Sequence, residues 1–163
     1  MQRSDLSQDG FRGFIGVAEL CGGRLDEVPR ERGIYAVLRV EATEPVFLAR
    51  NGGGHFKGKD PTVAVSRLRE RWVRGTEVLY IGATGDPLRK RIGDLCRFSE
   101  GQPVGHWGGR LLWQVTGSEN FLVGWRSSVD RDPFALEREL MHEFRDLFGV
   151  WPFANIQGPR KGG

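Results

Sequence analysis

Hydrophobic and polar positions repeat with two different periods along this chain. Gly33–Val40 (GIYAVLRV) is a run of β-formers and predicts a strand. Its alternation puts Tyr35, Val37 and Arg39 on one face and Ile34, Ala36 and Leu38 on the other. Glu77–Gly82 (EVLYIG) predicts a second strand, with Tyr80 turned away from Leu79 and Ile81. If the two strands pair, both phenols can share one face. Leu111–Val115 and Phe121–Trp125 read as a hairpin joined around Gly117–Asn120, and Pro45–Ala49 as a further short strand. Asn51–Pro61 (NGGGHFKGKDP) is punctuated by glycines and predicts a loop.

The longer period marks helices. Phe134–Phe148 is the clearest, with Asp132 and Pro133 as cap and first residue and Gly149 as its stop. Leu136, Leu140, Met141, Phe144, Leu147 and Phe148 form its apolar stripe. Leu88–Phe98 predicts another helix, entered through Asp86 as N-cap and Pro87 at the first helical position. It buries Leu88, Ile92, Leu95 and Cys96. Val63–Val73 has helical spacing with arginines between its apolar positions, and one short helix is expected around Ile15–Leu20 of the leader. The tail WPFANIQGPRKGG is expected to dock at its start and fray at its end. Strands and helices alternate irregularly, which predicts an α+β class: a small central, mainly antiparallel sheet flanked by helices.

Length and composition narrow the setting. A chain of 163 residues fits one domain with a real core. No apolar run is long enough to cross a bilayer, and the first ten residues lack an export-signal pattern, so no membrane partner is expected. Cys21 and Cys96 are far apart in sequence and form no metal-binding or disulfide framework, which makes a reducing cytoplasm the expected location. The net charge is +3, but its distribution is uneven. Between Lys57 and Arg97 there are ten basic and five acidic side chains, an excess of five, which leaves a balance of minus two elsewhere. A basic middle of this kind suits a phosphate-facing surface or a solvated helix face.

Candidate chemistry is sparse. Gly53–Asp60 (GGHFKGKD) approaches a phosphate-binding loop, but Asp60 stands where Ser or Thr would hold magnesium, and Pro61 interrupts the helix that should follow. His55, His106 and His142 have no metal-ligand spacing, and there is no G-x-S-x-G elbow. Glu137 is the strongest single clue. It projects into the apolar stripe of its helix, between Phe144 and Phe148, where a carboxylate is costly unless it is ion-paired or binds a cation. Arg89 and Arg91 flank the buried stripe of their helix on opposite sides, and periodicity does not choose between them as a phosphate ligand. Trp107, Trp113 and Trp125 read as core.

In order along the chain these residues resemble the GIY-YIG nuclease superfamily. Gly33-Ile34-Tyr35 and Tyr80-Ile81-Gly82 match its two tripeptides. LRKRI resembles its arginine helix and selects Arg91, ALEREL resembles its glutamate helix and selects Glu137, and PFAN resembles its terminal asparagine segment and selects Asn155. The resemblance spans about residues 30–156. It departs from the family twice. Forty-four residues separate Tyr35 from Tyr80, far more than usual, so that 41–76 resembles a DNA-contacting insertion. Leu95 stands where the family often has His or Tyr, and His106 is the candidate to replace it, with Arg110 beside it as a phosphate clamp.

The resemblance implies an endodeoxyribonuclease that uses one divalent cation, magnesium or else manganese, held by Glu137. Arg91 would neutralise the transition-state phosphate, Tyr35 would orient or deprotonate the attacking water, Tyr80 would hydrogen-bond the water or phosphate, and Asn155 would fix the local geometry. Arg89, Lys90 and Arg110 are candidate substrate contacts. The partner would be DNA, with the chain a monomer or homodimer. The alternative is a nucleic-acid-binding module of the same fold with weak or no catalysis.

Overall fold

A computed structural model describes residues 1–159. It is an α+β fold built on a four-stranded, wholly antiparallel sheet in the order β1-β4-β2-β3. In chain order the elements are α1 (Arg3–Gln8), β1 (Arg12–Gly16), α2 (Val17–Cys21), β2 (Gly33–Leu38), α3 (Val65–Arg71), β3 (Val78–Thr84), α4 (Leu88–Ser99), β4 (Leu122–Ser127) and α5 (Pro133–Phe148). No helix among the described residues is long and apolar enough to cross a membrane. The expected fraying of the tail's end falls on residues 160–163, outside the described residues.

Each face of the sheet covers its own core. Tyr35, Val37, Leu79 and Tyr80 pack with α2, α4 and the tight coil at residues 107–114. Ile34, Ala36, Leu38, Val78 and Ile81 pack with Leu6 of α1 and with Leu136, Leu140, Met141 and Phe144 of α5. The alternation predicted for β2 therefore holds. On β3 it shifts: Leu38 pairs with Val78 while Val37 pairs with Tyr80, and this bulge turns Leu79 to the same side as Tyr80. Pairing continues with Tyr35 opposite Gly82. The glycine is required there, because a Cβ on Gly82 would lie 2.8 Å from Tyr35 Cζ. Gly33 is equally constrained, since a Cβ would lie 2.2 Å from the carbonyl oxygen of Arg126.

The α5 boundaries match the sequence expectation. Asp132 accepts from the amides of Phe134 (3.2 Å) and Ala135 (3.1 Å), and Gly149 ends the helix at φ 75°. Leu147 departs from the predicted stripe and is 61% exposed, because the second core ends at Phe144 and the partly buried Phe148. At the start of α4, Pro87 rather than Asp86 occupies the cap position, and the Asp86 carboxylate pairs with Lys90 (2.8 Å). α3 is shorter than predicted, and β3 runs on to Thr84.

Two predicted strands are not strands. Leu111–Val115 lies in the 107–114 coil, with Leu111, Leu112, Trp113 and Gln114 all buried. The place beside β4 that a hairpin partner would take is filled by β1 on one side and β2 on the other. Gln114 fixes the coil from inside, donating to the Leu48 (3.0 Å) and Val63 (2.7 Å) carbonyls and accepting from the Val63 amide (2.9 Å). Pro45–Ala49 contributes only an isolated bridge, Phe47 with Val115. β1 itself was not anticipated; its bulge is made by Gly13 (φ 85°) and Phe14 (φ 55°), which interrupts alternation.

Candidate active site

β3 is an edge strand, and the site lies where its end meets α4 and α5. A cleft of about 780 Å³ is lined there by Tyr80 from β3, Arg91 from α4, Glu137 from α5 and Asn155 from the C-terminal segment. Lys90 and Arg110 line it as well. Tyr35 and His106 do not; both are fully buried behind Tyr80, with the three rings 5.8–6.2 Å apart. The structure thus brings Tyr35, Tyr80, Arg91, Glu137, Asn155 and His106 into one neighbourhood and leaves Arg89 outside it.

Arg91 and Tyr35 are locked together. Arg91 Nε donates to Tyr35 Oη (3.2 Å), and Nη1 donates to the carbonyl of Gly105 (2.6 Å). The neighbouring Tyr35 oxygen outweighs burial and raises the Arg91 pKa above its usual value, so the guanidinium stays charged. Arg89 instead ties α4 to the preceding loop, donating to the carbonyls of Val28 (2.9 Å) and Asp26 (2.6 Å). The side of the helix that faces the cleft therefore belongs to Arg91.

Asn155 spends its whole amide on the backbone. Its Oδ1 accepts from the Ile81 amide (2.9 Å) and its Nδ2 donates to the Ile81 carbonyl (2.8 Å), while the Ala154 amide donates to Leu79 O (2.8 Å). The C-terminal segment thus behaves as a substitute fifth strand and holds Tyr80 in register. Arg71 pins that segment in turn, donating to the carbonyls of Phe153 (3.1 Å) and Asn155 (2.9 Å).

Burial raises the Tyr80 pKa well above its usual value, with Tyr35 adding to the effect and Glu137 contributing a smaller push. Tyr80 is therefore a proton donor at neutral pH, and the Glu137 carboxylate acts electrostatically on it across the cleft.

His106 Nε2 lies 3.0 Å from Tyr35 Oη, and its Nδ1 has no hydrogen-bond partner among the described residues. Burial, reinforced by the Arg91 charge, lowers its pKa to about 3, so the imidazole is neutral. An unfolded chain protonates this histidine below about pH 6.5, whereas the folded one resists until about pH 3. Stability is therefore expected to fall with pH between those values, by roughly 2 kcal/mol from pH 7 to pH 5. Urea unfolding at both pH values should show this loss, and His106→Gln should remove it. Equal acid sensitivity in the two proteins would refute the assignment.

Two features of the cleft were not visible in the sequence. Trp107 packs against the first core, as expected, but is only partly buried and also lines the cleft, unlike the buried Trp113 and Trp125. Phe56, from the long segment between β2 and β3, also reaches it. Nothing in their spacing marks either residue; only the glycines around both turns hint that chain is being brought close to chain. No family model, no curated protein and no solved structure matches this chain.

Proposed function

We propose that this protein is a metal-dependent endonuclease that hydrolyses phosphodiester bonds in DNA on a GIY-YIG-like frame. The observation that carries this reading is the meeting of Tyr80, Arg91, Glu137 and Asn155, from four separate elements, in one cleft, with Tyr35 hydrogen-bonded to Arg91 behind it. A structural role for Glu137 alone would not require the two phenols and the guanidinium to share its cleft.

The donor set fits a hard cation that keeps most of its water. Asn155 is consumed by the Ile81 backbone, and Asp86 and Asp94, which also line the cleft, are paired with Lys90 and Arg97. Glu137, the third acidic side chain of the lining, is the proposed ligand, and no group of three His, Cys, Asp or Glu side chains suited to a metal occurs among the described residues. Magnesium, or manganese in its place, suits one carboxylate completed by substrate phosphate oxygens and water. When bound, the ion supplies positive charge for the leaving oxygen and the phosphate.

The chain's own groups supply the rest. Arg91, with Nε and Nη1 committed, offers its remaining edge to the phosphate and offsets the charge that builds in the transition state. Tyr80 donates a hydrogen bond to the phosphate or the attacking water. Tyr35 has no exposed surface, so it acts on the reaction through Arg91 and Tyr80 rather than by touching the water. The neutral His106 beside it is a proton acceptor one hydrogen bond away. From behind Tyr80 it orients Tyr35 and does not reach the attacking water, so it does not replace the group absent at the fully buried Leu95.

A binding module without catalysis is the second reading, favoured by the aliphatic Leu95 one turn after Arg91. Supercoiled plasmid incubated with magnesium or with chelator separates the two. Nicking that needs the metal is expected. DNA retention without nicking would leave the binding module, and the absence of both would end the nucleic-acid reading.

A further inference from the structure

Eight of the described Lys and Arg side chains are neutralised in ion pairs. Arg24, Arg39, Arg74, Arg89, Lys90, Arg97, Arg126 and Arg131 each have a carboxylate within ion-pair distance. Three cations beside the cleft are held differently. Arg110 lies flat over Trp107, 4.6 Å from the ring centroid, and donates to the Trp107 carbonyl (3.2 Å). Lys57 Nζ sits 5.4 Å over the ring of Phe56. Arg71 is fixed only by the carbonyls of Phe153 and Asn155. None of the three has a carboxylate partner among the described residues. A ring face or a carbonyl orients a cation without cancelling its charge.

Lys57 and Arg71 stand beside residues that line the cleft, Lys57 over Phe56 and Arg71 against the Asn155 carbonyl, without lining it themselves. Trp107, Phe56 and Arg110 all line the cleft, and Phe56 packs against the Gly105 turn. Asn51 Nδ2 donates to the Arg110 carbonyl (2.8 Å), which fastens the 51–58 loop to the coil. Arg71 is close enough to Arg110 that, after burial, its charge helps to depress the Arg110 pKa, so two like charges are held together. Lys57 also adopts φ 54°, a left-handed conformation that is strained for any side chain with a Cβ. Like charges gathered without counter-ions beside a cleft are arranged for an anion that arrives from outside.

We infer that Lys57, Arg110 and Arg71 form a phosphate-binding track, which carries the DNA backbone flanking the scissile bond along the insertion side of the cleft. The inference rests on the nuclease reading for the identity of the scissile site and extends it to the segment between β2 and β3. Phe56 and Trp107, packed against the first core on one side, support the cations on the other. Each phosphate seated on the track releases condensed counter-ions, so the salt dependence of binding reports the number of contacts.

The test is binding of a fluorescein-labelled duplex DNA in chelator, where cleavage does not interfere, across a series of sodium chloride concentrations. The slope of log affinity against log salt is expected to fall by about 0.9 for each of Lys57→Gly and Arg110→Gln. Affinity at low salt should drop several-fold in each variant. Lys57→Gly removes the charge while relieving the backbone, so its melting temperature should be unchanged or higher, which separates lost binding from lost folding. Arg74→Gln, which breaks an exposed pair with Glu44, should leave the slope intact. Wild-type binding with unaltered slopes in both variants would overturn the track and leave the nuclease reading standing. Reduced slopes in a protein that never nicks plasmid would do the reverse. No salt-sensitive binding at all would overturn both.

Discussion

Glu137→Ala is expected to abolish magnesium-dependent nicking, with a loss of about 10³-fold or more, because the variant lacks the carboxylate that would hold the ion. The fold should survive. Glu137 is only partly buried, and α5 is anchored by Leu136, Leu140, Met141 and Phe144, so the expected cost in stability is within about 1 kcal/mol. Glu137→Gln makes the test sharper, since it keeps the shape and one acceptor oxygen while removing the charge. It should be as inactive as the alanine variant while binding DNA at least as tightly in chelator, because a negative charge has left a phosphate site. Plasmid nicking rates and fluorescence anisotropy measure the two effects. A glutamine variant that nicks at the wild-type rate would remove Glu137 from the chemistry.

The second large effect separates two arginines two residues apart on α4. Arg91→Ala should lower the nicking rate by about 10²–10³-fold, the usual cost of removing a group that stabilises transition-state charge. Arg89→Ala should leave the rate unchanged and instead lose about 1–2 kcal/mol of stability, since its hydrogen bonds to Val28 and Asp26 hold the loop before β2 against α4. Arg91→Lys keeps the charge but not the planar fork that spans Tyr35 and Gly105, so partial rather than full recovery is expected. Single-turnover nicking and urea unfolding on the same preparations resolve rate from stability. Equal rate losses at both positions would show that the cleft does not select between them.

The division of labour between these arginines shows where sequence patterns run out. Period-two alternation in β2, and the capped, striped helix α5, were legible because each element is governed by neighbours in its own stretch of chain. The carboxylate of Glu137 stood out for the same reason, as a polar intrusion in an apolar stripe. Arg89 and Arg91 flank their stripe symmetrically, and only the placement of Asp26 and Gly105 breaks the tie. The 107–114 coil was misread as a strand because its β-forming residues are buried on all sides and its backbone is organised from a distance, through Gln114. β1 stayed hidden because a glycine and a left-handed phenylalanine interrupt its pattern. The fully buried position of Tyr35 was likewise illegible, since a strand face says which way a side chain points and not what is stacked over it.

The strip formed by Ala154 and Asn155 closes the outer margin of β3 as well as one side of the cleft. It follows that one short stretch of chain both completes the cleft and covers the open edge of β3, so neither can form without the other. A nascent chain stalled before Phe153 carries a naked row of amides and carbonyls ready to pair with any other strand, and no assembled site.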